Sequence, residues 1–194
     1  MSKMKYLKSA VLVPDYPPPN RPEVAVAGRS NAGKSSFLNA IAGSKVAHVS
    51  QEPGKTRLLN FFEFGSHYRF VDMPGYGFAA RSGDEMQSWS QMVETYLTLR
   101  GNLKGLVLLM DLRREWTADE EMLKKYCQQS GKAFCVALTK ADKCSTKEQR
   151  ERLKVIQKTS QVAETFLISS QTKTGIKELE DFIFNEWIKN KETR

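Results

Sequence analysis

Gly28-Arg29-Ser30-Asn31-Ala32-Gly33-Lys34-Ser35 is the stretch on which the reading of this chain turns. It follows a short apolar run, Glu23–Ala27, and opens a segment of helical period, Lys34–Ala42. The pattern GxxxxGK[ST] between a strand and a helix is that of a phosphate-cradling loop. Its glycines let the backbone wrap closely around phosphates, successive N–H groups point inward, and the following helix adds the positive end of its dipole. Lys34 would reach the β- and γ-phosphates, and Ser35 would place its hydroxyl on magnesium, a hard ion that prefers oxygen ligands. A chance glycine-rich turn is the competing reading, and the flanking strand and helix argue against it.

Outward from this loop, short β-rich runs alternate with longer segments of helical period. The strands expected are Glu23–Ala27, Leu58–Phe64, Tyr68–Asp72, Gly105–Leu112, Ala133–Thr139 and Glu164–Ser169, with Gly65-Ser66 as a hairpin between the second and third. The helices expected are Lys34–Ala42, Asp84–Arg100, Ala118–Ser130, Thr146–Lys158 and Ile176–Lys189. The resulting architecture is α/β in three layers, a six-stranded, mostly parallel sheet with helices on both faces. The apolar stripes Met86, Trp89, Val93, Tyr96 and Ile176, Leu179, Ile183, Trp187 read as core packing. Residues 1–22, dense in proline at Pro14, Pro17, Pro18, Pro19 and Pro22, read as an extended lead-in to a single domain over 23–194. Gly43–Arg57 has no clear period and reads as a long functional loop.

Two further motifs fall at strand ends. Asp72-Met73-Pro74-Gly75 closes the third strand, where apolar Phe70 and Val71 carry a carboxylate to the sheet's carboxyl edge. Asp72 can hold the metal there, and the Gly75 N–H can sense the γ-phosphate because no side chain blocks approach. Alone, DxxG is more often a turn. Thr139-Lys140-Ala141-Asp142 ends the fifth strand on the same edge. A carboxylate at Asp142 accepts from guanine's ring N–H and exocyclic amine, and adenine offers no matching pair of donors. Each charge-assisted bond contributes about 1.5–3 kcal/mol, enough to supply most of the discrimination. The aliphatic stem of Lys140 would cover the base.

Composition sets the frame. The 194 residues, 40% hydrophobic and 27% charged, suit one compact globular domain. The apolar run Ala10–Val13 is too short for a membrane span or a signal-peptide core, so a cytoplasmic protein without a membrane role is expected. Cys127, Cys135 and Cys144 make neither a disulfide framework nor a zinc site. The formal charge of +8 favours polyanionic partners.

The order and spacing of the three motifs resemble the translation-factor-like P-loop GTPases, and the details resemble the EngB (YihA/YsxC) family of bacterial GTPases. The carriers are GRSNAGKSS at Gly28–Ser36, PGKTR at Pro53–Arg57, LNFF at Leu59–Phe62, FVDMPGYGFA at Phe70–Ala79, TKAD at Thr139–Asp142 and ISSQTKTG at Ile168–Gly175. The resemblance implies a P-loop GTPase fold that binds GTP and GDP with Mg2+. Thr56, flanked by Gly54, Lys55, Arg57 and Leu58, would be the switch threonine that ligands magnesium and contacts the γ-phosphate. From the residues alone, Thr56 is equally a solvated loop residue. It also implies that Ile168, Ser169 and Ser170 lie against guanine, with N–H groups near its carbonyl oxygen; taken bare, Ser-Ser is a strand terminus. In these terms Lys34, Thr56 and Gly75 are the catalytic candidates, Ser35, Thr56 and Asp72 the metal ligands.

Two departures from the general GTPase pattern bear on mechanism. Thr139 stands where most relatives have asparagine, keeping a hydroxyl but losing the amide that tethers the phosphate loop. Tyr76 stands where Ras-like enzymes place a water-orienting glutamine, so slow unaided hydrolysis is expected. Asn31 matches the asparagine that holds K+ beside the phosphates in potassium-stimulated relatives, with structural capping as its alternative.

Lys147, Arg150, Lys154 and Lys158 fall on one helix face, with Arg113-Arg114 and Lys124-Lys125 nearby in sequence. Such stripes are usually only solvated, yet this one has the spacing to track a phosphate backbone. The resemblance implies a role in assembling the large ribosomal subunit, with effects on cell division and septation, and ribosomal RNA as partner to a monomer. Two readings compete with a hydrolysing switch. One is a nucleotide-dependent RNA-binding assembly chaperone in which hydrolysis is incidental. The other is a P-loop kinase, which would have no use for Asp142.

Overall fold

The computed structural model describes residues 4–47, 58–77 and 83–189. Gly54, Lys55, Thr56 and Arg57 lie outside the described residues, as do Lys3, Phe78 and Ala79, and Met86 lies outside those whose side chains are described.

Among the described residues, seven strands form one sheet. They are β1 (Met4–Ala10), β2 (Glu23–Gly28), β3 (Leu59–Phe64), β4 (Tyr68–Asp72), β5 (Leu103–Asp111), β6 (Ala133–Thr139) and β7 (Thr165–Leu167). Five helices accompany them: α1 (Lys34–Ala42), α2 (Gly83–Leu99), α3 (Ala118–Gln129), α4 (Thr146–Ser160) and α5 (Ile176–Phe182), the last continuing as a π-helical stretch over Ile183–Ile188. The spatial order is β1-β3-β4-β2-β5-β6-β7. β3 runs antiparallel to both its neighbours, while β4, β2, β5, β6 and β7 pair in parallel.

Why the sheet sits between helices is legible in β2. Val24 and Val26 face one apolar cluster and Ala25 and Ala27 the other, so the strand is apolar on both sides, as a buried parallel strand must be. The first cluster takes Phe37 and Leu38 of α1 with Ile176 and Leu179 of α5. The second takes Trp89, Val93 and Tyr96 of α2, Leu123 of α3 and Ile156 of α4. Three layers result. α3 and α4 each start with a capping box, Thr117 with Glu120 and Ser145 with Glu148, which satisfies N–H groups the first turn leaves open.

The sheet has seven strands, not six. Residues 4–10 precede the first proline, and they add an edge strand antiparallel to β3, with Ala10 opposite Leu59 and Met4 opposite Phe64. Only the two ends, Met4 and Ala10, are buried, so the strand carries no alternating pattern to announce it. Lys5 and Lys8 stand on this outermost strand, where charge discourages further pairing. The prolines govern 11–22 instead, which forms only a 3-10 turn at Val13–Asp15. The β3–β4 hairpin has three connecting residues, since Phe64 pairs with Tyr68, with Gly65 at φ 56°.

At the sheet end opposite Gly28, the buried Glu23 carboxylate binds Arg100 through two bonds of 2.9 and 2.6 Å and accepts from Tyr96 OH at 2.9 Å. Arg69 lies 3.6 Å from the same carboxylate. Both arginines also donate to the lead-in, Arg69 to Pro18 O at 2.8 Å and Arg100 to Pro17 O at 2.7 Å. The network straps residues 11–22 to the sheet and keeps its ions paired, as buried charges require.

Candidate nucleotide-binding site

Parallel pairing brings the carboxyl ends of β2, β4, β5, β6 and β7 to one edge, with Val26 beside Asp72, Gly28 beside Leu109, Asp111 beside Thr139 and Leu138 beside Leu167. From β2 the chain moves to one side of that strand, and after β4 it crosses to the other, so Gly28 ends at a topological switch point. All three motifs therefore open onto one rim.

The loop Gly28–Ser35 turns sharply because Asn31 and Gly33 adopt left-handed φ of 62° and 95°. Gly28 passes so close to β5 that a Cβ would sit 2.4 Å from Leu109 O. The loop is stitched to the DxPG segment by Ser30 N donating to Tyr76 O at 3.0 Å, and closed on itself by Ala32 N donating to Arg29 O at 3.0 Å. The first turn of α1 leaves the N–H groups of Lys34, Ser35 and Ser36 without intrahelical partners, pointing toward the rim. Lys34 Nζ rests on Gly28 O at 3.3 Å. Burial lowers its pKa, partly offset by the Asp72 carboxylate.

Asp72 ends β4, buried. Burial pushes its carboxyl up to about 6 despite the Lys34 ammonium, and its Oδ1 is buried without a hydrogen-bond partner. The unpartnered, buried carboxylate oxygen of Asp72 and the hydroxyl of Ser35 in the first turn of α1 are hard oxygen donors of the kind that fit Mg2+. Met73 N donates to Val26 O at 2.9 Å, and Pro74 O accepts from Trp89 Nε1 at 2.9 Å, so the backbone beyond Asp72 is held. A Cβ on Gly75 would lie 3.2 Å from both Lys34 Nζ and Ser30 N, so this glycine lets the segment close on the loop.

Thr139 performs a tethering role that the loss of asparagine had put in doubt. Its buried hydroxyl donates to Ala32 O at 2.8 Å, linking the end of β6 to the phosphate loop. Lys140 takes a left-handed φ of 59°, which turns the chain into the short 3-10 turn Ala141–Lys143 that presents Asp142. Asp142 Oδ1 accepts from Ser169 Oγ at 2.6 Å, and that bond is the main cause of its lowered pKa. Ala141 N donates to Ile168 O at 3.2 Å, tying the two loops further. The N–H groups of Ile168 and Ser169 are engaged by Leu138 O at 2.8 Å and Thr174 O at 3.0 Å. The segment after β7 thus reaches the Asp142 side chain through the Ser169 hydroxyl, a role the sequence alone, which offered only its N–H, did not contain. Ser170 comes next, half-buried, and Leu58 is exposed just before β3.

Tyr76 turns into the core. Its OH donates to Glu120 Oε1 of α3 at 2.8 Å and its ring packs against Trp89 with centroids 5.7 Å apart. Burial, with Glu120 beside it, raises the phenol far above its ordinary pKa. No water-orienting group is presented from this position.

On α4, Lys147, Arg150, Lys154 and Lys158 are exposed. Lys124 is not part of that surface: it is buried and donates to Ser160 O at 2.8 Å, so only Lys125 of that pair is exposed. Arg113 is bound through two bonds to Asp111, at 2.9 and 2.7 Å. Among the described residues, no helix is long and apolar enough to cross a membrane.

A strand–glycine-rich loop–helix unit with Asp72 and Asp142 on one edge of a mainly parallel sheet is the arrangement of a P-loop GTPase. The sequence profile of the 50S ribosome-binding GTPase family matches residues 23–140. The probable GTP-binding protein EngB of Bdellovibrio bacteriovorus is 53% identical over 186 residues, 96% of this chain and 93% of that protein. Its counterpart in Pelotomaculum thermopropionicum is 42% identical over 188 residues, 95% of this chain and 94% of that one. The chain belongs to the EngB family of GTP-binding proteins. Among solved structures, that of a probable GTP-binding protein engB superposes with a TM-score of 0.69 at 24% identity, covering 84% of this chain and 96% of that one. Aquifex aeolicus Era bound to GDP and AlF4- superposes at 0.66, with 24% identity, covering 86% of this chain and 56% of that one. Both likenesses show the fold.

Proposed function

We propose that this protein is a GTP-driven switch with slow intrinsic hydrolysis that acts in assembly of the large ribosomal subunit, and through it in normal cell division and septation. The carrying observation is the placement of Lys34 and Asp72 on the same sheet edge as Asp142, with Thr139 joining the phosphate loop to the base-reading strand. In this reading Gly28–Ser36 wraps the phosphates and Lys34 sets its ammonium against the β- and γ-phosphates. Ser35, Thr56 and Asp72 would hold Mg2+ through their oxygens. The ion would offset charge developing on the transferred phosphoryl group. Gly75 senses the γ-phosphate through its N–H. Asp142 reads guanine's paired donors, steadied by Ser169, and the remaining turn amide at Ser170 faces the base carbonyl.

Hydrolysis is slow in this account because Tyr76 is committed to Glu120 and no side chain from DxPG orients water. Asn31 would instead hold K+, whose charge would stand in for an arginine finger. Equal turnover in potassium and sodium salts would remove that assignment.

The partner proposed is a large-subunit precursor, engaged through ribosomal RNA along the exposed face of α4. Neutralising phosphates with lysines releases counterions, so binding should weaken steeply with salt. Reversal of Lys154 and Lys158 to glutamate should weaken precursor binding and flatten that dependence. Unchanged binding across salt concentrations would rule the face out.

The buried placement of Tyr76 also favours a second reading, an RNA-binding assembly chaperone for which hydrolysis is incidental. Turnover measured with and without precursor separates the two. A switch needs stimulated hydrolysis to release its partner, whereas a chaperone releases without it.

A further inference from the structure

The carboxylate of Asp111 stands apart from the phosphate, metal and base contacts of the site. It ends β5 beside Thr139 of β6, buried at 8% exposure, one strand away from the base-reading loop. Its Oδ2 accepts from Lys140 Nζ at 3.0 Å and from Arg113 Nη2 at 2.7 Å, and its Oδ1 accepts from Arg113 Nε at 2.9 Å and Arg113 N at 3.1 Å. Lys140 is therefore fixed at both ends. Its backbone sits in the left-handed region at φ 59°, and its ammonium is drawn back to β5. A lysine stem held this way lies stretched along the rim instead of swinging in solvent, with its side chain only about one-third exposed at 35%.

We propose that Asp111 is a positioning residue of the base pocket, which pins the Lys140 ammonium so that the aliphatic stem forms a preset wall against one face of the bound purine. This rests on the reading of Asp142 as the guanine reader. A free lysine would lose much of its rotamer entropy when a base docks, and preordering the stem removes that cost from binding. Asp111 suits the task because it stays ionised: hydrogen bonds from Arg113, followed by those from Lys140, hold its carboxyl well below the usual carboxylate range. Arg113 satisfies the remaining lone pairs, so the carboxylate can be buried without Lys140 having to neutralise it alone.

The plain alternative is that Asp111 exists to anchor Arg113 and the loop after β5. Release of a fluorescent GDP from the intact chain separates the two, measured for wild type, Asp111→Asn, Lys140→Ala, the double variant and Arg113→Ala, with thermal unfolding of each nucleotide-free protein. Asp111→Asn should speed release about tenfold, the scale of one charge-assisted hydrogen bond. It should add nothing on the Lys140→Ala background, and Arg113→Ala should not reproduce it. Lys140→Met, which keeps the stem and removes only the ammonium, should match Asp111→Asn, and it carries the test if the latter does not fold. Wild-type release rates in Asp111→Asn and Lys140→Met, additive effects in the double variant, or an equal effect of Arg113→Ala would overturn the proposal. A wild-type chain that holds no guanine nucleotide would overturn the reading beneath it as well.

Discussion

Replacing Thr139 by valine removes one hydroxyl and leaves the side-chain volume nearly intact. In the folded chain that hydroxyl donates to Ala32 O at 2.8 Å, and both residues are buried, Thr139 at 3% and Ala32 at 4% exposure. The valine leaves the Ala32 carbonyl without its partner in a place that water reaches poorly, which costs about 1–3 kcal/mol. For a chain of this size, each kcal/mol lowers Tm by about 2–4 °C, so a fall of about 2–12 °C is expected. The loop that loses its tether is the one proposed to surround the phosphates, so GDP release should quicken along with the loss of stability. Thr139→Ser, which keeps the donor and loses a methyl group, should hold GDP nearly as well as wild type. Thermal unfolding and stopped-flow release of GDP test both arms. A valine variant with Tm within about 1 °C of wild type and unchanged GDP release would refute the tether.

Two further outcomes are expected from the same geometry. Asp72→Asn should stabilise the nucleotide-free protein at pH 7.5 while abolishing the gain in GTP affinity on adding Mg2+. Its folded pKa of about 6 lies above the ordinary 3.8, so folding at neutral pH forces a buried ionisation worth at most about 3 kcal/mol. Lys34 loses its counter-charge in the variant, so a net gain of about 1–2 kcal/mol is expected. The cost is absent below pH 4 and enters as pH rises through 6, so denaturant titrations at pH 4 and 7.5 should differ; an advantage independent of pH would contradict the burial argument. Tyr76→Phe should lose about 1–3 kcal/mol, because a buried Glu120 oxygen loses its donor, with GTP turnover near that of wild type. A large fall in turnover at unchanged stability would return Tyr76 to the reaction.

The sequence made some of this legible and hid the rest for physical reasons. Gly28–Ser35, DxPG and TKAD could be placed on one rim because each succeeds an apolar run of strand length, and parallel strands deliver the loops at their carboxyl ends to a common edge. β4 and β6 coincide with the strands expected at Tyr68–Asp72 and Ala133–Thr139, and α1 with Lys34–Ala42. β1 was hidden because its burial comes from pairing with β3, about fifty to sixty residues on, and shows no period of its own. The Glu23–Arg100 pair spans 77 residues, and a lone charge in a sequence does not name its partner. The same holds for Lys124, which reads as surface charge until α4 supplies Ser160 O, and for Tyr76, whose partner Glu120 lies 44 residues away. Ser169 read as a strand terminus because its relation to Asp142 exists only once β6 and β7 pair.

Calorimetry of GTP, ATP and XTP on the wild type and on Asp142→Asn tests the guanine-reading site most directly. Wild type should bind GTP and ignore ATP, and the asparagine variant should lose GTP and gain XTP, whose extra carbonyl accepts from an amide where guanine offers an amine. Equal affinity of the wild type for ATP and GTP, or an asparagine variant that still prefers GTP to XTP, would contradict it.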